Sequence, residues 1–236
     1  MLIFYDIDNK TKESWSPNTL KTKLALAHKG LKYDLRWISY PDIADFLKFK
    51  GVPKCPGPSV INWTLPAIEH DGKTIMDSFD IAEYLEKTFP DAPSLFPSKS
   101  AALARLMESY CVPHLRTPLY PLILPKQVDF LDERGGEYFM RTREERLGPI
   151  SHDVYKDKER IDKIWEQMSD GTGVLGQMLK DNPGGPYLLG ADRSYADLEL
   201  SATLEWLRVI NVDVFERILS IQPAFRDLYD ACKELL

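Results

Sequence analysis

Apolar positions divide the chain into two textures. Residues 2–7 (LIFYDI) are short, aromatic and β-branched, which predicts a buried strand. The segment from Lys10 to Ser16 is polar and turn-like. Pro17 then opens a run in which Leu20, Leu24 and Ala27 recur at helical spacing, and Gly30 is placed to end it. Residues 31–39 (LKYDLRWIS) alternate roughly and predict a second strand. Residues 41–63 carry no clear period and read as irregular, with a loop at KGVPKCPGPS. Residues 65–69 and 73–76 flank Asp71-Gly72 as the arms of a hairpin. From Ser78 to Phe89, the residues Ile81, Tyr84, Leu85 and Phe89 share one face, which predicts a helix. Residues 90–99, rich in Pro and Ser, read as a linker.

Past Ser100 no convincing strand pattern returns. ALARLMESYCVPHLRTPLYPLIL is helical but interrupted by Pro113, Pro118 and Pro121, which kink or end a helix. EYFMRTREERLG, KERIDKIWEQM and GVLGQMLKD are helical in kind. Ser194 and Asp197 form a capping box ahead of LELSATLEWLRVI, and PAFRDLYDACKELL closes the chain. The layout is therefore β-α-β-loop-β-β-α over residues 1–89, a linker over 90–99, and an all-helical domain over 100–236. The fold class is α/β followed by all-α.

Composition narrows the function. At 236 residues, with 44% hydrophobic and 28% charged, the chain fits a globular protein with a sizeable core. A net charge of -6 and the lack of a basic run argue against nucleic acid as a partner. No apolar stretch reaches the ~18 residues of a membrane helix, so no membrane role is expected. The N-terminal apolar run has an acidic flank, unlike a secretory signal. Three scattered cysteines without a CxxC fit a reducing, cytoplasmic setting.

Several motifs have ordinary explanations. Gly171-Thr-Gly173-Val-Leu-Gly176 matches GxGxxG, but a helical segment precedes it where a dinucleotide site needs a strand. It reads better as a break between two helices. Asp6 and Asp8 could hold magnesium for phosphoryl transfer, although no phosphate loop completes such a site. The four histidines lack ligand spacing, so no metal site is expected. Ser16-Pro17 is a standard helix start, yet it stands between the first strand and the first helix, where a hydroxyl and helix amides face one space. Leu65-Pro66 opens a strand, and its bond could be cis or trans. Asp77-Ser78 stands at a second helix N-terminus.

These features in this order resemble the soluble glutathione transferases over nearly the whole chain. The likeness is sharpest at SWSPNTLKTKLALAHKG and at TLPAIEHDGKTIMDSFDIAEYLEKTFPDAPSLF, with GADRSYADLEL matching the capping box of the helical domain. Within the family it is greatest to the fungal class A (FuA) transferases and the bacterial glutathione-dependent β-etherases. The resemblance implies a thioredoxin-like N-terminal domain, a C-terminal helical bundle, glutathione as co-substrate, and a homodimer. It implies that Ser16 is catalytic and donates a hydrogen bond to the glutathione sulfur. It further implies that Leu65, before a cis Pro66, pairs with the cysteinyl unit and that Asp77 and Ser78 hold the γ-glutamyl end. Lys54, with Lys48 and Lys50 behind it, is the candidate for the glycyl carboxylate, and Ser14 is the substitute for Ser16. A hydrophobic aromatic second substrate would meet Trp15, Leu106, Tyr110 and Pro113. The expected activity is thiolate attack on aromatic electrophiles or lignin-type aryl ethers. The alternative is a ligandin-like carrier of bulky aromatic compounds with little turnover.

Overall fold

The computed structural model describes residues 1–55 and 61–236. Four strands form one sheet in the order β2-β1-β3-β4. They are β1 (Leu2–Ile7), β2 (Asp34–Ile38), β3 (Ala67–His70) and β4 (Lys73–Met76). β1 is central and buried throughout. It pairs in parallel with β2 and antiparallel with β3, so Phe4 lies beside Leu35 on one side and Ile68 on the other. A parallel pair needs a crossover, and α1 (Pro17–His28) supplies it. The β3–β4 hairpin turns at Asp71 and Gly72, both at positive φ (48° and 77°). That is the geometry for which Asp-Gly is suited.

Helix α2 (Ile43–Phe49) lies in the segment expected to be irregular. It is only seven residues long and buries just Ile43 and Leu47, too little for a period to show in sequence. Phe46 covers Tyr5 at 4.7 Å between ring centres. α3 (Ser78–Thr88) follows the hairpin. Lys29, after α1, is buried with Glu86 of α3 (2.9 Å) and binds the carbonyls of Phe89 and Pro93, fastening the start of the connecting segment.

The second half contains α4 (Ala101–Cys111), α5 (Tyr120–Phe130), α6 (Glu133–Leu147), α7 (Lys158–Asp181), α8 (Tyr195–Ile210), α9 (Val212–Ile221) and α10 (Ala224–Cys232). Pro113 and Pro118 fall in wide and tight turns between α4 and α5, and Pro121 opens α5, as their missing donors dictate. Helix α9 occupies a stretch for which the sequence pattern predicts no element, and α6 begins earlier than its pattern, capped by Asp132. The expected break at Gly171–Gly176 does not occur: α7 runs continuously through it. A Cβ on Gly171 would stand 2.5 Å from the carbonyl oxygen of His114, and one on Gly176 2.0 Å from the Gln222 amide. These glycines serve close packing, and tertiary contact outweighs their low helix propensity. The GxGxxG match thus lies inside a helix, with no strand before it.

Core residues join the two halves through α1 and α8, and α8 is buried along almost its whole length. Asp197 accepts from the backbone N–H of Ser194 (2.8 Å) and of Leu188 (2.7 Å), which realises the capping box. The Tyr195 hydroxyl donates to the carbonyl of Ser78 (2.9 Å), tying the start of α8 to the start of α3. Among the described residues no helix is long and apolar enough to cross a membrane, and no group of three or more His, Cys, Asp or Glu residues gathers as a metal site would.

Candidate active site

The strand–Ser-Pro–helix junction places Ser16 at the N-cap of α1. Its carbonyl accepts the first helical hydrogen bond from Leu20 (2.8 Å), while its hydroxyl makes no capping bond. That hydroxyl is left for whatever enters the adjoining cleft, a cavity of about 370 Å³ lined by Ser16 and Asn18 of this junction. Ser14 is directed elsewhere, to Asp6, and does not line the cleft. Asp6 is fully buried beneath the junction, with Oδ1 accepting from the Ile7 N–H (2.7 Å). Burial pushes its carboxyl up to about 6, even with hydroxyls of Thr19 and Ser14 favouring the anion. Asp8 pairs with Lys12 at the strand end, apart from the buried Asp6.

A second wall is the segment Thr64-Leu65, where the Leu65–Pro66 bond is cis. The Thr64 N–H reaches Met76 Sδ (3.3 Å), and Trp63, also on the cleft, donates from Nε1 to the Val52 carbonyl (3.0 Å). Asp77 (φ 81°) caps α3, accepting at Oδ1 from the N–H groups of Phe79 and Asp80. Its other oxygen is left over. Ser78 beside it is buried. Neither lines the cleft itself.

The three candidate lysines differ in what they already do. Lys50 is paired with Glu69 (2.7 Å), which also accepts from Tyr5. Lys48 pairs with Asp45 (3.1 Å) and sits 4.9 Å over the Trp63 ring. Lys54 is exposed and makes no ion pair among the described residues. Residues 56–60 of the same loop lie outside the described residues.

The third wall is where the sequence-based expectation and the geometry part. Trp15 is buried, behind the cleft, between Tyr40 (6.3 Å) and Phe130 (6.1 Å). Leu106 and Pro113 are exposed, and the Tyr110 hydroxyl donates to the Gly171 carbonyl (3.1 Å) on the α7 side. None of the four lines the cleft. The wall comes from Tyr40 and from Tyr138, Thr142, Arg143, Glu145 and Arg146 of α6. Tyr40 and Tyr138 stack at 6.2 Å with 18° between planes. Two polar ties hold α6 against the first half: Asp132, its N-cap, accepts from the Ser39 hydroxyl (3.0 Å), and Arg134 pairs with Asp42 (2.8 Å). The residues missed have a signal, Tyr138, Thr142 and Arg146 at four-residue spacing, but nothing local says which neighbour that face meets.

A buried charge network backs the junction. Lys21 of α1 pairs with Glu108 of α4 (2.8 Å) and Glu199 of α8 (3.2 Å). Arg116 pairs with Glu199 as well, and donates to Thr203 (3.0 Å) and to Asn18 Oδ1 (3.3 Å). In all three cysteines the thiol is favoured over the thiolate. Cys111 and Cys232 are pushed by burial up to about 12 and about 11, and Cys55 is raised by burial and by Asp77.

A sequence-family model for the glutathione S-transferase N-terminal domain matches residues 15–88, and one for the C-terminal domain matches residues 102–234. The chain belongs to the glutathione S-transferase family. A glutathione S-transferase-like protein of Aspergillus flavus, ustS, is 37% identical over all of this transferase and 91% of its own length. Among solved structures, the transferase CsGST63524 of Ceriporiopsis subvermispora in complex with glutathione superimposes with a TM-score of 0.89 at 30% identity, covering 99% of this chain and 97% of that one. GSTFuA3 of Phanerochaete chrysosporium gives 0.88 at 30% identity, over 100% and 97%. The β-etherase LigF of Sphingobium sp. strain SYK-6 shares the fold, with a TM-score of 0.61 at 20% identity over 99% and 98%. The fold class and the likeness to fungal class A transferases thus agree with the sequence reading.

Proposed function

We propose that this transferase binds glutathione along Thr64-Leu65 and activates its thiol with Ser16, for attack on an aromatic electrophile or aryl ether. The observation that carries the reading is the Ser16 hydroxyl, without a capping bond at the N-terminus of α1, on a cleft that Thr64 and Leu65 also line. Asp77, with one carboxylate oxygen left by its capping role, suits the γ-glutamyl ammonium. Lys54 is the proposed partner of the glycyl carboxylate, and Lys48 its nearest substitute.

A free thiol, with a pKa near about 8.5, is only ~3% thiolate at pH 7. Bringing it down to about 6.5 raises that share about 25-fold, for about 3 kcal/mol. One charge-assisted hydrogen bond contributes about 1.5–3 kcal/mol, and the helix end adds to it. Ser16 is then a donor and not the nucleophile. The sulfur attacks carbon, and the leaving group departs with its electron pair. The homodimer of the family reading is retained as part of this proposal.

The test is a pH titration of thiolate ultraviolet absorbance for glutathione bound to wild type and to Ser16→Ala. A depressed pKa in wild type that relaxes in the variant, with turnover lost more than affinity, is the expected result. Tight binding with an unshifted pKa favours a ligandin-like carrier instead. The absence of binding overturns the proposal.

A further inference from the structure

The α6 wall carries a charge that the protein leaves unanswered. The Arg143 guanidinium lies 4.4 Å over Phe139 and 5.6 Å over Tyr40, and its one described hydrogen bond is to Thr142 Oγ1 (3.0 Å). Four of its five N–H donors remain. Arg116, Arg134, Arg193 and Arg208 each have a carboxylate within 3 Å. Arg143 and Arg146 have none among the described residues, though both line the cleft. Glu145 is the one acid among the described lining residues, and Arg141, outside the cleft, draws on it at 3.7 Å.

The surroundings are equally specific. Tyr40 puts a flat ring beside the Arg143 guanidinium and stacks with Tyr138, whose ring lies 5.5 Å from the Arg141 guanidinium, and neither hydroxyl has a described hydrogen-bond partner. Ile7, Ile43, Ala44 and Leu65 supply apolar lining. A planar body would rest on the rings and apolar lining, while an oxyanion at its edge would meet a stacked guanidinium. Stacking holds the fork in place, so less freedom is lost on binding than for a free arginine. A carboxylate takes two parallel bonds from that fork.

We propose that the second substrate of this site is a planar aromatic acid, received by Arg143 with Arg146 at the mouth. This rests on the reading of Ser16 and glutathione given above and adds the class of its electrophile. With 4-chloro-3-nitrobenzoate as the probe, glutathione sulfur gives an electron pair to the ring carbon that bears chlorine. A C–S bond forms, and chloride leaves with the C–Cl pair.

The experiment compares that acid with its methyl ester as substrates of the full chain. Each kcat/KM is divided by the substrate's uncatalysed rate with glutathione. Wild type is expected to favour the acid by about tenfold or more, as a charge-assisted pair allows. The variant Arg143→Gln/Arg146→Gln should bring the ratio near unity, and added salt should lower it in wild type. Turnover of both substrates with no preference for the acid overturns the proposal. So does a double variant that weakens glutathione binding and leaves the ratio intact, since the guanidinium groups then hold glutathione. Calorimetry with 4-nitrobenzoate and 4-nitrobenzamide, without glutathione, separates the two readings. Preference for the anion without turnover removes the catalytic reading and keeps this one, whereas equal binding removes this one.

Discussion

Arg116 of the helical half donates from Nη1 to Oδ1 of Asn18, two residues after Ser16. Because the oxygen is engaged, the amide nitrogen of Asn18 is the atom left for the cleft that Asn18 lines. A hydrogen bond from a neutral donor contributes about 0.5–1.5 kcal/mol. Asn18→Ala should therefore slow glutathione transfer by about two- to tenfold, with little change in melting temperature. Steady-state kinetics beside a thermal melt decide it. An unchanged rate removes Asn18 from the site.

Lys21 is as buried as the leucines around it, and its charge is balanced by Glu108 and Glu199. Removing one member of a buried pair leaves the rest uncompensated, at about 3–5 kcal/mol. Lys21→Met should lower unfolding free energy in urea by that amount. A loss under about 1 kcal/mol means that water or rearrangement relieves the remaining acids.

Asp6 gives a pH signature with a definite sign. Its carboxyl is raised to about 6 in the folded chain, against an unfolded value near about 3.9. The native state therefore binds the proton more tightly, and stability falls as pH rises between those values. The loss amounts to about 3 kcal/mol by pH 7. Asp6→Asn should flatten that part of the stability–pH curve. A variant with the same slope as wild type assigns the titration to another group.

The glycines of α7 make a matched set. Gly171 has the backbone oxygen of His114 at 2.5 Å from a would-be Cβ, whereas Gly173 has nothing within 4 Å. Gly171→Ala should destabilise the protein by about 1–3 kcal/mol through overpacking. Gly173→Ala should stabilise it by up to about 1 kcal/mol through helix propensity. Urea unfolding of both checks the pair. Equal effects would mean that α7 shifts freely past the turn at His114.

What is legible in the sequence is local. β1, α1, the hairpin and α3 announce themselves through period, proline and Asp-Gly, and Ser16 stands out as a candidate because the strand–Ser-Pro–helix junction lies within a few residues. The continuity of α7 is hidden because glycine propensity is local and the contact with His114 is not. Helix α9 is hidden because Asn211 alone separates it from α8. The α6 wall is the largest omission. Tyr138 and Arg143 are about a hundred residues from Tyr40, and only the fold decides that they share a cleft.

Helix α6 is tied to the first half at Asp132 and Arg134 and carries its guanidinium groups ten or so residues further along. At about 1.5 Å per residue, Arg143 stands about 16 Å from Asp132. A tilt of about 10° at that end sweeps the far end by about 3 Å, more than the tolerance of a hydrogen bond. The wall is thus a lever with its pivot at Ser39 and Asp42. Side chains that touch no guest set the gauge of the opening, and substitutions at the pivot are a way to retune what fits without altering the groups that hold it.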